Sequence, residues 1–296
     1  MAQESLITNN GKIVLLNRGY KPTPDYLPPT QFQVGKNQVT AVTIETTALD
    51  EPVPISNVTL IDNCQTADWN ETGDADTDVV NNTAGQYIEG TGCLNLGKNG
   101  SSQTSFGYNK STAGAYVFTA GKVTYLFVYI TDTSDLAETD AIKVGFGSDT
   151  SNYYYTSYDR ADLSNGWNAL KISRSSASSQ GTPDENACDT LIILFEAVTA
   201  ATTITKGNIR MDYWSLAASN SFKKDFDSGY PLVDETNFEV EMKGTLETTD
   251  AIGFAIDSGA TFNEDGTPKM TGVDTFKESS KSKDDQFILI FKDRLV

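Results

Sequence analysis

The sequence contains no histidine among its 296 residues. That removes Ser-His-Asp and Cys-His nucleophile pairs, His-ligated zinc and imidazole acid–base chemistry together. Cysteine is scarce. Cys64, Cys93 and Cys188 are odd in number and match no metal or redox spacing, so buried thiols are expected, with a Cys64–Cys93 bridge as the alternative. No apolar run approaches the roughly 18–20 residues of a membrane span; "TLIILFEAV" is about half that. "MAQESLITNNGK" has no basic region leading into an apolar core, so no secretory signal is expected. Basic residues are few as well, 22 Lys plus Arg against 40 Asp plus Glu, for a formal net charge of −18. Such a chain repels phosphate backbones and anionic membranes, so neither nucleic-acid binding nor membrane insertion is expected. Paired carboxylates remain a route to glycoside hydrolysis. With forty acids a close pair arises by chance, so catalysis is the weaker expectation.

What is present reads almost entirely as strand. "VTYLFVYI" (residues 123–130) and "DTLIILFEAV" (189–198) are short, β-branched and aromatic. "KVGFGS", "SNYYYTSY", "NALKIS" and "NIRMDYWSL" alternate between Gly, Asn, Asp and Ser punctuation, and no three-turn helix with caps is expected. "SRSSASSQGTPDEN" (173–186) reads as a solvated loop, and "DADTD" (74–78) as an acidic loop lacking the Gly and distal Glu of an EF-hand. "LNRGYKPTPDYLPPTQFQVGKN" (16–37) reads as a proline-braced arm ending in one strand, "TQFQVG". Two linker-like stretches, "DEPVPISN" (50–57) and "AASNSFKKD" (217–225), flank a middle block of ordinary domain size. The organisation expected is therefore residues 1–56 and 218–296 as two parts of one platform domain, with 57–217 inserted. Neither flank buries its own strands alone, and together they close one sandwich.

Within the middle block, Gly90 and Gly92 suit a tight turn entering an inner strand. Trp167 after Gly166 suits an aromatic plug at one end of a sandwich, with sugar stacking as the alternative. Tyr153, Tyr154 and Tyr155 alternate faces, Tyr154 opposite its neighbours, so at least one ring reaches the surface. With Tyr158 they are the candidate glycan or partner contacts. The order "NVTLIDNCQTADWN", "GQYIEGTGCLNLGKNG", "VTYLFVYITDTSDL", "GSDTSNYYY", "GWNALKI" and "NIRMDYWSL" resembles the jelly rolls of carbohydrate-binding modules and of concanavalin-like and galactose-binding-like domains. The resemblance implies an all-β, jelly-roll sandwich. It also implies a structural calcium between first and last strands, for which Asp62, Glu89 and Asp212 are the candidate ligands; the simpler expectation is that they are solvated charges.

The flanks carry a second resemblance. "ITNNGK" (7–12) followed much later by "AIGFAI", "NEDGTPKM" and "SSKSKDDQFILIF" is similar to the attachment domain of tailed-bacteriophage tail-collar and tail-fibre proteins. Asp265-Gly266 is a hairpin signal, and Phe287, Leu289 and Phe291 alternate in a final strand expected to be buried on both faces at its start. The resemblance implies a virion structural protein, located in the particle, with other virion proteins as partners, a homo-oligomer, and a jelly roll displayed towards a neighbour or a host-surface glycan. The alternative is a secreted or surface carbohydrate-binding protein without catalytic activity.

Overall fold

The computed structural model describes residues 3–4, 6–263, 270–281, 284 and 286–294. The chain divides into two compact units, Met1–Asn57 with Asn220–Val296, and Val58–Ser219 inserted between them. The all-β class and the inserted jelly-roll sandwich are what form.

The inserted unit is built from two antiparallel sheets. The first runs Gly166–Ser173, Val123–Ile130, Ile204–Ala217, Cys93–Lys98, Ala75–Asn81, with Thr59–Asp62 added beside Ile204–Ala217. The second runs Ser178–Gln180, Asn152–Tyr158, Ile142–Asp149, Cys188–Glu196, Ser105–Tyr116, Asn70–Gly73. Strand alternation decides which side chains enter the core. Along Val123–Ile130, Leu126, Val128 and Ile130 join Phe146, Leu191, Phe195 and Trp214 in the cluster between the sheets. Trp69 and Trp214 stack with centroids 6.1 Å apart, and Trp214 Nε1 donates to Thr124 Oγ1 at 2.6 Å, which satisfies a buried donor.

The expected loop at 173–186 contains the short strand Ser178–Gln180, which pairs with Tyr153–Tyr155. The expected acidic loop at 74–78 instead leads into an edge strand, because the backbone from Ala75 pairs with Cys93–Lys98. Asp74 accepts from Ser102 and Gln103 and lies 3.6 Å from Lys98; Asp76 pairs with Lys206 at 3.3 Å. Lys98 itself is fully buried. Its ammonium donates to the carbonyls of Gly100, Ala200 and Thr202 at 2.7, 2.8 and 3.1 Å, so three backbone acceptors are met by a cation the chain carries itself.

In the other unit the N-terminal segment supplies strands to both sheets. Pro29–Lys36 lies between Ala255–Asn263 and Lys224–Asp225, and Leu6–Ile7 pairs with Met270–Ser280. Gln3–Glu4 runs parallel to Phe287–Arg294 in the four-stranded sheet. Each flank leaves open edges without the other.

Two expectations fail here. Residues 9–20 form an α-helix, Asn9–Tyr20. Asn9, Asn10 and Gly11 are poor helix formers and residues 13–16 are all apolar, so neither propensity nor a clean 3.6 period marks it. Tertiary contacts hold it instead. Thr8 caps the helix by accepting from Gly11 N–H at 3.1 Å and donates its own hydroxyl to Met270 O at 2.6 Å; Val14 is buried. Gly11 sits so close to the neighbouring strand that a Cβ there would fall 2.1 Å from Thr271 O. The final strand is not buried on both faces: Phe291 is buried, but Ile288 is 55% exposed, because one face of that strand meets solvent. The turn at Asp265-Gly266 lies outside the described residues; the strands on either side of it, Ala255–Asn263 and Met270–Ser280, pair antiparallel.

Candidate functional site

The outer face of the first sheet of the inserted unit carries one continuous row of register partners. Trp167 lies opposite Tyr129, Tyr129 opposite Arg210, Arg210 opposite Asn95, and Asn95 opposite Val79. The row crosses five strands, so at about 4.8 Å per strand it spans about 19 Å. Its members point outward because their neighbours Val128, Ile130, Ile209, Met211, Leu94 and Leu96 point into the core. Trp167 and Tyr129 meet edge to face, centroids 5.5 Å apart at 70°, and the Arg210 guanidinium lies 4.4 Å from the Tyr129 ring centroid. All three are half-buried, which leaves part of each surface open. Asn81 donates to Gln86 Oε1 at 3.0 Å and to Asn95 Oδ1 at 3.2 Å, which fixes the Asn95 amide. The result is a shelf of two aromatic rings followed by two planar polar groups.

Asp212 follows Arg210 by two residues on the same strand. It is fully buried, and its Oδ2 accepts from Ile88 N–H and Glu89 N–H at 2.6 and 3.0 Å, tying the 86–90 loop to the sheet. Burial pushes its carboxyl up to about 7, against the pull of those N–H groups. Burial and the Asp212 charge likewise push the Cys93 thiol up to about 12, and Cys64 well above the usual thiol range with Asp62 adding to the burial.

The three acids assigned to calcium are not brought together as one group of carboxylates. Asp62 pairs with Lys110 at 2.7 Å and accepts from Cys64 N–H, and Lys110 also reaches Asp68 at 2.8 Å. Glu89 gives Asp212 its backbone N–H, not its carboxylate. Among the described residues no group of three His, Cys, Asp or Glu side chains could hold a metal ion. Lys110 supplies the opposite charge at Asp62; at Asp212 only Oδ2 takes the two backbone donors, while Oδ1 is buried without a partner among the described residues. Cys64, Cys93 and Cys188 are free and buried, so the alternative Cys64–Cys93 bridge does not form.

The tyrosines divide as strand alternation requires. Tyr154 enters the core, with the Arg174 guanidinium 3.9 Å from its ring centroid, and is not a surface contact. Tyr153 and Tyr155 share the outer face of the second sheet, centroids 5.8 Å apart. Tyr153 is nonetheless buried, lying across Gly145, where a Cβ would fall 2.7 Å from its ring. Tyr155 is half-buried with Lys143 Nζ 4.7 Å from its centroid. The Tyr158 hydroxyl donates to Lys171 O at 2.7 Å and accepts from Lys171 N–H at 2.6 Å.

Trp167 is not a plug in the core but the end of the outer shelf. Tyr129, Arg210 and Asn95 were not singled out in the sequence. Their signal is there, since Tyr129 and Arg210 occupy the outward positions of alternating strands, but which strands lie side by side is a long-range fact.

No family model matches the chain, and no curated protein matches it. Among solved structures, the family 11 carbohydrate-binding module from Clostridium thermocellum in complex with a β-1,3-1,4-mixed-linked tetrasaccharide is similar at 11% identity. The TM-score is 0.39, over 55% of this chain and 96% of that one. A structure from work on the promiscuous specificity of carbohydrate-binding modules of the β-sandwich superfamily is similar at 13% identity and TM-score 0.38, over 65% and 86%. An arabinose-bound α-L-arabinofuranosidase is similar at 13% identity and TM-score 0.36, over 55% of this chain and 25% of that one. Likeness at this level says nothing of what this chain binds.

Proposed function

We propose that the inserted unit binds a glycan without turning it over, using the outer shelf of its first sheet. The observation that carries this reading is the row Trp167, Tyr129, Arg210, Asn95. Aromatic faces stack on the apolar faces of pyranose rings, and planar amide and guanidinium groups hydrogen-bond vicinal hydroxyls. Fixed rings with a few placed polar groups are what an oriented small ligand needs. Hydrolysis would require two carboxyls facing one cleft; the acid on the shelf's central strand, Asp212, is buried and held by backbone donors. A glycan array probed with the full-length protein tests this. Binding that Trp167→Ala removes while the melting curve stays in place is the expected result, with no reducing ends released from the bound sugar. Binding unchanged in Trp167→Ala overturns the shelf.

For the split unit the reading is an attachment domain of a tailed-phage particle, held among other virion proteins or copies of itself, with the inserted unit facing a host glycan. What favours it is the meeting of the two stretches that carry the resemblance. Thr8 of "ITNNGK" reaches Met270, the last residue of "NEDGTPKM", and Thr271 just after it. Apolar side chains on this unit's surface, among them Leu16 at 60%, Tyr20 at 86% and Val233 at 69% exposed, suit contact with another protein. Antibody labelling of purified particles is the test; a protein absent from particles overturns this reading and leaves the first standing.

A further inference from the structure

Arg210 differs from Arg18, Arg160 and Arg174. Arg18 donates to Tyr26 O at 2.9 Å, Arg160 to Glu138 at 2.9 Å, and Arg174 to Glu185 at 2.8 Å. Arg210 has no hydrogen bond or ion pair among the described residues; its guanidinium rests on Tyr129 alone, and its Nε is buried without a partner. This occurs in a chain with 40 acidic residues to 22 basic ones, where a carboxylate partner is the statistical default. Asp212, the acid nearest along the strand, spends Oδ2 on Ile88 and Glu89 and has no exposed surface. A half-buried guanidinium has lost part of its hydration and is matched by no acceptor among the described residues.

Its mounting is rigid. Arg210 sits in a strand paired on both sides, with Tyr129 and Asn95 as its register partners. The backbone is fixed on both sides and the Tyr129 ring lies under the guanidinium, which orients the planar fork; a planar two-oxygen anion is its natural complement. We propose that the glycan recognised by the shelf carries a carboxylate, a hexuronate residue, received by Arg210 in a two-point hydrogen bond. This rests on the shelf being a glycan site. Trp167 and Arg210 are two strands apart, about 10 Å, which is more than one pyranose covers. The ligand is thus an oligosaccharide with one residue stacked on Trp167, the uronate next to it at Arg210, and hydroxyls of the following residue at Asn95. The chain's net charge of −18 opposes an anionic ligand at long range. At about 0.15 M salt that repulsion is screened beyond about 8 Å, so the local pairing decides.

The test uses the full-length protein and an array of paired probes, each uronate-containing oligosaccharide beside its carboxyl-reduced neutral form, with sulfated neutral oligosaccharides as a third set. The acidic member of at least one pair is expected to bind about 10- to 100-fold more tightly than its reduced form. Arg210→Gln is expected to abolish that preference, weakening the acidic member more than the neutral one until the two bind alike, and Arg210→Lys to retain only part of it. Trp fluorescence melts check that each variant folds. Neutral members binding as well as or better than acidic ones overturns this inference and leaves the glycan reading intact. Sulfated probes binding as tightly as carboxylated ones overturns the carboxylate assignment. A preference that persists in Arg210→Gln removes Arg210 from it. No binding by any probe overturns both readings.

Discussion

Replacing Lys98 with methionine keeps most of the side chain's volume and removes its charge. Three carbonyls, of Gly100, Ala200 and Thr202, then lose a donor at 2.7 to 3.1 Å. A hydrogen bond from a charged donor contributes about 1.5–3 kcal/mol, and a buried acceptor left alone costs about 1–3 kcal/mol. Thr199, Ala201 and Thr203 are exposed around these carbonyls, so water replaces part of the loss. Asp74 keeps its bonds from Ser102 and Gln103. The net cost is then about 3–5 kcal/mol, in the range for breaking a buried charge interaction by removing one partner. The readout is selective, because Trp69, Trp167 and Trp214 all lie in the inserted unit. Tryptophan fluorescence of the whole chain in urea therefore follows that unit alone. A drop in its melting temperature of about 10 °C corresponds to this cost at about 2–4 °C per kcal/mol. A Lys98→Met protein whose fluorescence transition moves by less than about 1 kcal/mol would refute the claim that this ammonium organises the surrounding loops.

Asp212 sets a pH dependence. Its carboxyl is pushed up to about 7, so between about pH 4 and 7 the folded chain holds a proton the unfolded chain has released. The stability this contributes is full below about pH 4 and falls as pH rises through 7, by at most about 1.4 kcal/mol per unit. Asp212→Asn should flatten the midpoint-against-pH curve in that window, and parallel curves for the two proteins would count against it. Gly11→Ala forces a methyl against Thr271 O and should cost the split unit about 2 kcal/mol or more. Calorimetry should show the transition without a fluorescence change moving down, the other staying; an unmoved pair of transitions refutes the close packing. Millimolar calcium and chelator should give the same melting curve for the inserted unit, since Asp62 is paired with Lys110 and no three acids among the described residues come together as a metal site. A rise of several degrees in calcium would contradict that.

Much of the fold was legible before any coordinates. The segments "VTYLFVYI" and "NIRMDYWSL" were readable as strands from their β-branched and aromatic content, and both form strands of the first sheet, neighbours through a register shift between Tyr125 and Phe127. Strand alternation sends Tyr154 inward and its two neighbours outward. The helix Asn9–Tyr20 was not legible. Its stability comes from the Thr8 cap and from the strand that Gly11 touches, over two hundred and fifty residues away in sequence, and local propensity carries no trace of that.

For the site, the sequence by itself determined one chemistry that is absent: without histidine, imidazole acid–base work and His-activated nucleophiles were excluded from the start. It also determined the residue types on each strand face. Only the tertiary structure decided which strands became neighbours, and with that the alignment of Trp167, Tyr129, Arg210 and Asn95 into one row. The calcium triad shows the same limit from the other side. Asp62, Glu89 and Asp212 are spaced as the resemblance asks, yet a carboxylate's role is set by the donor that reaches it first. Here the donors are Lys110 and two backbone N–H groups, brought in by long-range pairing that spacing along the chain does not encode.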